Sequence, residues 1–198
     1  MTKIVCNMAI SLDGFVAGPN QSEAFPFGER VDERLHRWMF EDAENNADEL
    51  AALNSHSAYV MGRNMFGPIR GPWHGDWQGW WGDEPPYAAP VFVLTHHARE
   101  PLVKGKTTFT FLTEGFEAAL RLATKAAGSG SVGIAGGADV ARQALTSGVV
   151  DQLVVHVAPV VLGAGENLFT DLDHLWLEQV SARATRHATH ITYNILND

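Results

Sequence analysis

Three short runs are placed to do chemistry on an anion: Gly62-Arg63, Thr95-His96-His97 and Gly136-Gly137, each at the end of an apolar stretch. In an open α/β sheet, ligands bind in the crevice at the carboxyl ends of the strands. Glycine lets the backbone approach a ligand closely, and a helix start offers unpaired N–H groups and a positive dipole end. Gly136-Gly137 precedes a helical pattern at once, so a pyrophosphate suits it. A tight strand-to-helix turn without a ligand suits it equally. Arg63 supplies a planar charge that can fork onto a phosphate, although a surface salt bridge is the default for a lone arginine. Two carboxylates could deliver a proton in such a crevice. Asp13 lies just past the first apolar run and Glu166 ends Gly163-Ala164-Gly165-Glu166. From spacing alone an Asx-turn is the stronger reading of Asp13, and Glu166 reads equally as a solvated loop charge. Asp32 and Glu33 read as partners of a helix dipole, and Asp151 as structural.

Other chemistries find no support. Gly128-Ser129-Gly130-Ser131-Val132-Gly133 matches the dinucleotide fingerprint letter for letter, but it follows a helical pattern and opens a strand. The fingerprint needs the reverse order, so this is a flexible turn. The nine histidines include no H-E-x-x-H. His96 and His97 are adjacent and diverge on an extended chain, while His187 and His190 are an odd number apart and face opposite sides of a strand. Cys6 stands alone, which excludes a disulfide framework and a cysteine-based zinc site. No G-x-S-x-G elbow is present, so a serine hydrolase is unsupported.

The elements that must position these residues come from apolar patterning. With 198 residues, 45% hydrophobic and 19% charged, the chain is long and apolar enough for one folded domain. A net charge of −9 repels a polyphosphate backbone, which argues against nucleic acid. No run approaches the ~20 apolar residues of a membrane span, and no secretory leader is evident, so a cytoplasmic protein is expected. Residues 3–12 read as a strand buried on both faces, and 32–53 as one or two helices. Shorter strands follow at 58–61, 91–94, 107–112, 132–135 and 153–158, with helices at 116–127 and 138–146. Residues 176–182 and 189–196 read as a terminal antiparallel pair. Strand and helix alternate through the middle, which predicts an α/β domain with a mostly parallel sheet and an antiparallel edge. Residues 67–90 are irregular and carry Trp73, Trp77, Trp80 and Trp81. A loop that long is usually functional or disordered, and four tryptophans argue against disorder.

At these residues the chain resembles the dihydrofolate reductase-like family, and within it the reductase domain paired with a deaminase in riboflavin biosynthesis. The matching pieces are Ser11-Leu12-Asp13-Gly14-Phe15-Val16-Ala17-Gly18, Val60-Met61-Gly62-Arg63, Gly136-Gly137 before a helix, and Ala158-Pro159-Val160-Val161-Leu162-Gly163-Ala164-Gly165 with Leu168-Phe169. Their order and spacing run nearly end to end. The resemblance implies a three-layer α/β/α sandwich around a mixed eight-stranded sheet, NADPH as cofactor, a small-molecule substrate and a homodimer. Carried over by position, Gly62, Arg63 and Asn64 would meet the cofactor phosphates at a helix start. The family usually has threonine at Asn64, which can also cap a helix. Thr95 and His96 would approach the adenosine, with His96, His97 or Arg99 as a cation for a 2′-phosphate. Gly136, Gly137, Ala138, Asp139 and Val140 would lie under the pyrophosphate and nicotinamide, Asp139 pointing outward to favour the helix dipole. Gly163, Ala164, Gly165 and Glu166 would approach the substrate or the nicotinamide ribose. The implied activity is hydride transfer from NADPH to a nitrogen heterocycle or ribosylaminopyrimidine, with Asp13 or Glu166 as the acid. A non-catalytic, dimeric nucleotide-binding module is the alternative. The H-x-E and P-C-x-x-C zinc signature of the deaminase half does not occur in this sequence. The Trp-rich stretch departs from the family pattern; it could roof the site, pack a dimer interface or form a satellite core.

Overall fold

A computed structural model of the protein describes residues 2–29, 31, 33–68 and 70–196. The first apolar run forms β1 (Ile4–Ser11), and a short β2 (Phe15–Ala17) follows the Asp13-Gly14 turn. The helical stretch expected at 32–53 is broken into short pieces of three to seven residues. A 3-10 turn at Glu33–His36 leads into α1 (Arg37–Phe40), and another at Glu44–Asn46 leads into α2 (Ala47–Leu53). Glu33 begins the first turn as the sequence predicts, while Asp32 lies outside the described residues. Then come β3 (Ala58–Gly62), α3 (Arg63–Phe66), β4 (Pro90–Leu94), β5 (Leu102–Lys104) and β6 (Thr107–Leu112). The second half holds α4 (Phe116–Ala127), β7 (Val132–Ile134), α5 (Ala138–Thr146), β8 (Gln152–Ala158), β9 (Glu166–Asn167), β10 (Trp176–Ala184) and β11 (Thr189–Leu196).

Nine strands form one sheet in the order β10-β11-β8-β1-β7-β3-β4-β6-β5, one more than the resemblance implies. The additional edge is β5, a three-residue strand antiparallel to β6. β2 and β9 form a separate two-stranded ribbon. The centre is parallel and the β8–β11–β10 side antiparallel, as the alternation of elements predicts.

Side-chain alternation divides each strand between two covers. On one face Cys6, Met8 and Ile10 of β1, with Val155 of β8, meet the apolar sides of α4 and α5 in the larger core. The opposite face is covered in two parts. The 3-10 turn at Glu33–His36 lies over β1 and β8, and Trp38 of α1 stacks on His156 of β8. Trp73, Trp77 and Trp81 pack on Tyr59, Phe66, Phe109 and their neighbours in a second core over β3, β4 and β6. Three of the loop's tryptophans thus form a satellite core. Trp80 is 37% exposed and lines a cleft.

Candidate active site

The cleft encloses about 1010 Å³ and is lined from both covers, by Trp38 and Leu53 on one side and Trp80 and Tyr87 on the other. Every strand end singled out in the sequence opens into it. Gly62, Arg63 and Asn64 line it, as do Thr95, His96 and His97, the run Gly136 to Val140, and Glu166.

Parallel pairing brings these ends together. Gly62 of β3 is level with Leu94 of β4, and the Gly62 N–H donates to the Gly136 carbonyl at 2.7 Å. A Cβ at Gly62 would sit 3.0 Å from Val140 Cγ2, so glycine there allows the β3 end to lie against α5. Gly136 has φ of 92°, in the region that favours glycine, and the Gly136–Gly137 peptide is cis. A Cβ at Gly137 would meet nothing within 4 Å, which leaves room at the start of α5. Gly137 occupies the cap position and no side chain caps the helix. Ala138 and Val140 are buried beneath it. Asp139 accepts a hydrogen bond from Gln143 Nε2 at 2.7 Å and lies 3.8 Å from Arg142, so its charge is held along the helix. Asn64 is the second residue of α3; Gly62, not Asn64, is its cap.

The Arg63 guanidinium sits over Trp73, its Cζ 3.7 Å from the ring centroid. Its Nε and Nη2 are buried without a hydrogen-bond partner. Desolvation first, then the charges of Arg70 and Arg99, lower its pKa from the ordinary guanidinium value. Arg99 packs 4.9 Å from the same indole and donates to the Trp77 carbonyl. Trp73 Nε1 donates to the His97 carbonyl at 2.7 Å, which fastens this loop to the end of β4. Thr95 closes the same turn through its hydroxyl, which accepts from the His97 N–H at 3.1 Å. Arginines gathered this way lose hydration unless an anion replaces it. Trp73 stood out in the sequence only as part of the Trp-rich stretch, and Arg70 carried no signal there.

The 11–18 and 160–169 blocks dock on each other. The Asp13 carboxylate accepts from Ser11 Oγ at 2.6 Å, Gly163 N at 2.8 Å and Leu162 N at 3.1 Å. The Ser11 hydroxyl, followed by the Gly163 and Leu162 amides, lowers its pKa to about 2. Asp13 is therefore ionised and committed to holding the 162–163 turn rather than an Asx-turn of its own; the Phe15 N–H, two residues on, donates to Ser11 Oγ instead. Gly165 has φ of 130°, and a Cβ there would strike the Ala17 carbonyl. Gly163 has φ of 71° and open space around it. Glu166 pairs with Ala17 across the ribbon, and its charge is felt by Arg70.

Among the described residues no group of three or more His, Cys, Asp or Glu side chains is arranged to hold a metal ion. No helix among them is long and apolar enough to cross a membrane.

Residues 2–191 match the family described as the RibD C-terminal domain. No curated protein sequence matches the chain. Solved structures with the same fold include a candidate riboflavin biosynthesis protein from Shewanella sp. PV-4, at 23% identity, full coverage of both chains and a TM-score of 0.61. Another is the diaminohydroxyphosphoribosylaminopyrimidine deaminase/5-amino-6-(5-phosphoribosylamino)uracil reductase of Thermotoga maritima. It is 14% identical with a TM-score of 0.59, and the match covers 98% of this chain and 57% of that one. A third is Enterococcus faecalis dihydrofolate reductase complexed with NADP(H), at 16% identity, 98% and 97% coverage and a TM-score of 0.60.

Proposed function

Because the chain belongs to the RibD C-terminal domain family, we propose that it is a reductase that uses NADPH and acts on a nitrogen heterocycle of the pyrimidine kind. The observation that carries this reading is the meeting of three strand ends at one cleft, beside an arginine whose Nε and Nη2 have no partner. NADPH would supply a hydride there. Gly62, Arg63, Asn64, Thr95 and His96 would hold its phosphates and adenosine, and the open backbone at Gly136 and Gly137 would admit the pyrophosphate. Arg63 and Arg99, steadied by Trp73, would take the 2′-phosphate. Ala138 and Val140 anchor the start of α5 in the core, and Gly163 and Gly165 shape the turn beside the substrate. Asp13 positions that turn; Glu166, on the cleft wall, is the carboxylate we assign to proton delivery. Trp38 and Trp80 would exclude water from the two sides.

We place the homodimer along β10. All nine of its residues are exposed, its outer backbone edge ends the sheet, and Trp176, Leu177 and Val180 add apolar area. Such an edge is self-complementary about a two-fold axis.

Calorimetric titration with NADPH and NADH tests the cofactor reading. NADPH is expected to bind more tightly. Arg63→Ala should weaken it about ten- to hundredfold, the ~1.5–3 kcal/mol of a hydrogen bond to a charged group. Unchanged NADPH binding by Arg63→Ala would remove the phosphate assignment, and binding of neither cofactor would remove the reductase reading.

A further inference from the structure

Beneath α1 a chain of buried polar groups crosses three strands and ends at the cleft. His156 of β8 and His190 of β11 are direct cross-strand partners, 1% and 5% exposed, with Nδ1 facing Nδ1 at 2.6 Å. His190 Nε2 meets Asn46 Oδ1 at 2.8 Å, and His156 Nε2 meets the Asn7 carboxamide at 2.7 Å, at the atom placed as Oδ1. Asn7 is 8% exposed and lines the cleft with Trp38 and Ala135.

Each contact needs one donor and one acceptor, so the proton positions can be worked out from the far end. The Asn46 NH2 group donates to the Asp42 carbonyl at 2.6 Å, which turns its oxygen toward His190. The Thr185 hydroxyl donates to the Ala188 carbonyl at 3.1 Å, so it too faces His190 Nε2 (3.3 Å) with a lone pair. Both neighbours require a proton on His190 Nε2. A neutral His190 then has a bare Nδ1, and His156 must donate to it from its own Nδ1–H. His156 Nε2 is left bare. An Asn7 oxygen beside it would set two lone pairs face to face, so the amide must offer its NH2 group. Carboxamide oxygen and nitrogen are nearly isosteric, and the hydrogen bonds rather than the shape decide between them. A third proton on the pair would bury a cation under Trp38. Burial pushes His156 down to about 3 and lowers His190 as well, against the pull of Glu49.

We infer that Asn7 turns its side-chain carbonyl oxygen to the cleft, held in that sense by the Asn46–His190–His156 relay, and that it selects a substrate whose ring offers an N–H donor, as in a lactam or ureide. The substrate half of this inference rests on the reductase reading. Asn7 is the recognition residue; His156, His190 and Asn46 are positioning residues. They keep the acceptor from rotating into a donor, so a ring carrying only acceptors or N-methyl groups at that edge leaves the oxygen unpaired.

NMR of the imidazole nitrogens near neutral pH tests the relay without any ligand. His156 is expected to be protonated at Nδ1 alone and His190 at Nε2 alone. A His156 protonated at Nε2, or at both nitrogens, overturns the assignment. In Asn7→Asp, where the carboxylate can only accept, a proton should move onto His156 Nε2; an unaltered His156 spectrum in the folded variant counts against the relay. Selectivity is read by titrating the NADPH-bound protein with a diaminouracil and with its ring-N-dimethylated analogue. The N–H form should bind about tenfold tighter. Equal binding of the two, or binding of neither, overturns the substrate class while leaving the reductase reading with NADPH. Failure of NADPH itself to bind removes that reading and leaves the tautomers to the spectrum.

Discussion

Asp13 illustrates how a carboxylate in the right block of sequence can be occupied elsewhere. Its oxygens are taken by the Ser11 hydroxyl and two backbone amides, so its stabilising effect belongs to the ionised form. Its pKa falls from the ordinary 3.8 to about 2, a depressed value, so this stabilisation is present above about pH 4 and is lost as pH falls through the folded value. Asp13→Asn is expected to raise amide exchange in residues 160–169 at neutral pH and to abolish the acid-induced rise over that window. Exchange that is unaltered in the variant would mean the turn is held by other contacts. Asn7 is the complementary case. A polar residue inside the apolar run 3–12 was visible in the sequence, as was His156 within Leu153 to Ala158. Their partners were not, because His190 meets His156 only in the β8–β11 register and Asn46 reaches His190 only when the 33–53 segment folds over the sheet.

The central elements were legible because periodicity and punctuation agree in them. β6, α4 and α5 begin and end where apolar spacing and flanking glycines put them. The one or two helices expected within 32–53 became a series of short pieces for a packing reason. That segment buries isolated anchors such as Leu35 and Trp38 and shows no continuous apolar stripe, so its shape is set by the sheet beneath it. β2, β5 and β9 span three, three and two residues, too short to display a period. The role of residues 67–90 was open among a roof, an interface and a satellite core, and the fold assigns most of their tryptophans to the last. Phe66 is the hinge of that assembly, with Trp73, Trp81, Phe109 and Phe111 around it. Phe66→Ala should cost about 3–5 kcal/mol in urea unfolding, the range for a fully buried aromatic. A loss under about 1 kcal/mol would show that the tryptophans pack independently of it.

At the scale of the whole molecule, two features govern association. The net charge of −9 disfavours close approach of copies, whereas the open β10 edge invites it. Sedimentation at micromolar concentration should find a dimer, and Val180→Lys should shift it to monomer by setting like charges across the shared edge. A monomeric wild type would remove the β10 assignment. The two-part cover of the sheet has a consequence of an optical kind. Trp38, Trp80 and Trp81 all border the cleft, yet of these Trp80 is the exposed one, while Trp73 and Trp77 are tied to backbone carbonyls. The emission of Trp80 should therefore be the component that a ligand entering the cleft changes most. Trp80→Phe would dim that response without removing the ligand, so the protein carries its own lamp at the doorway.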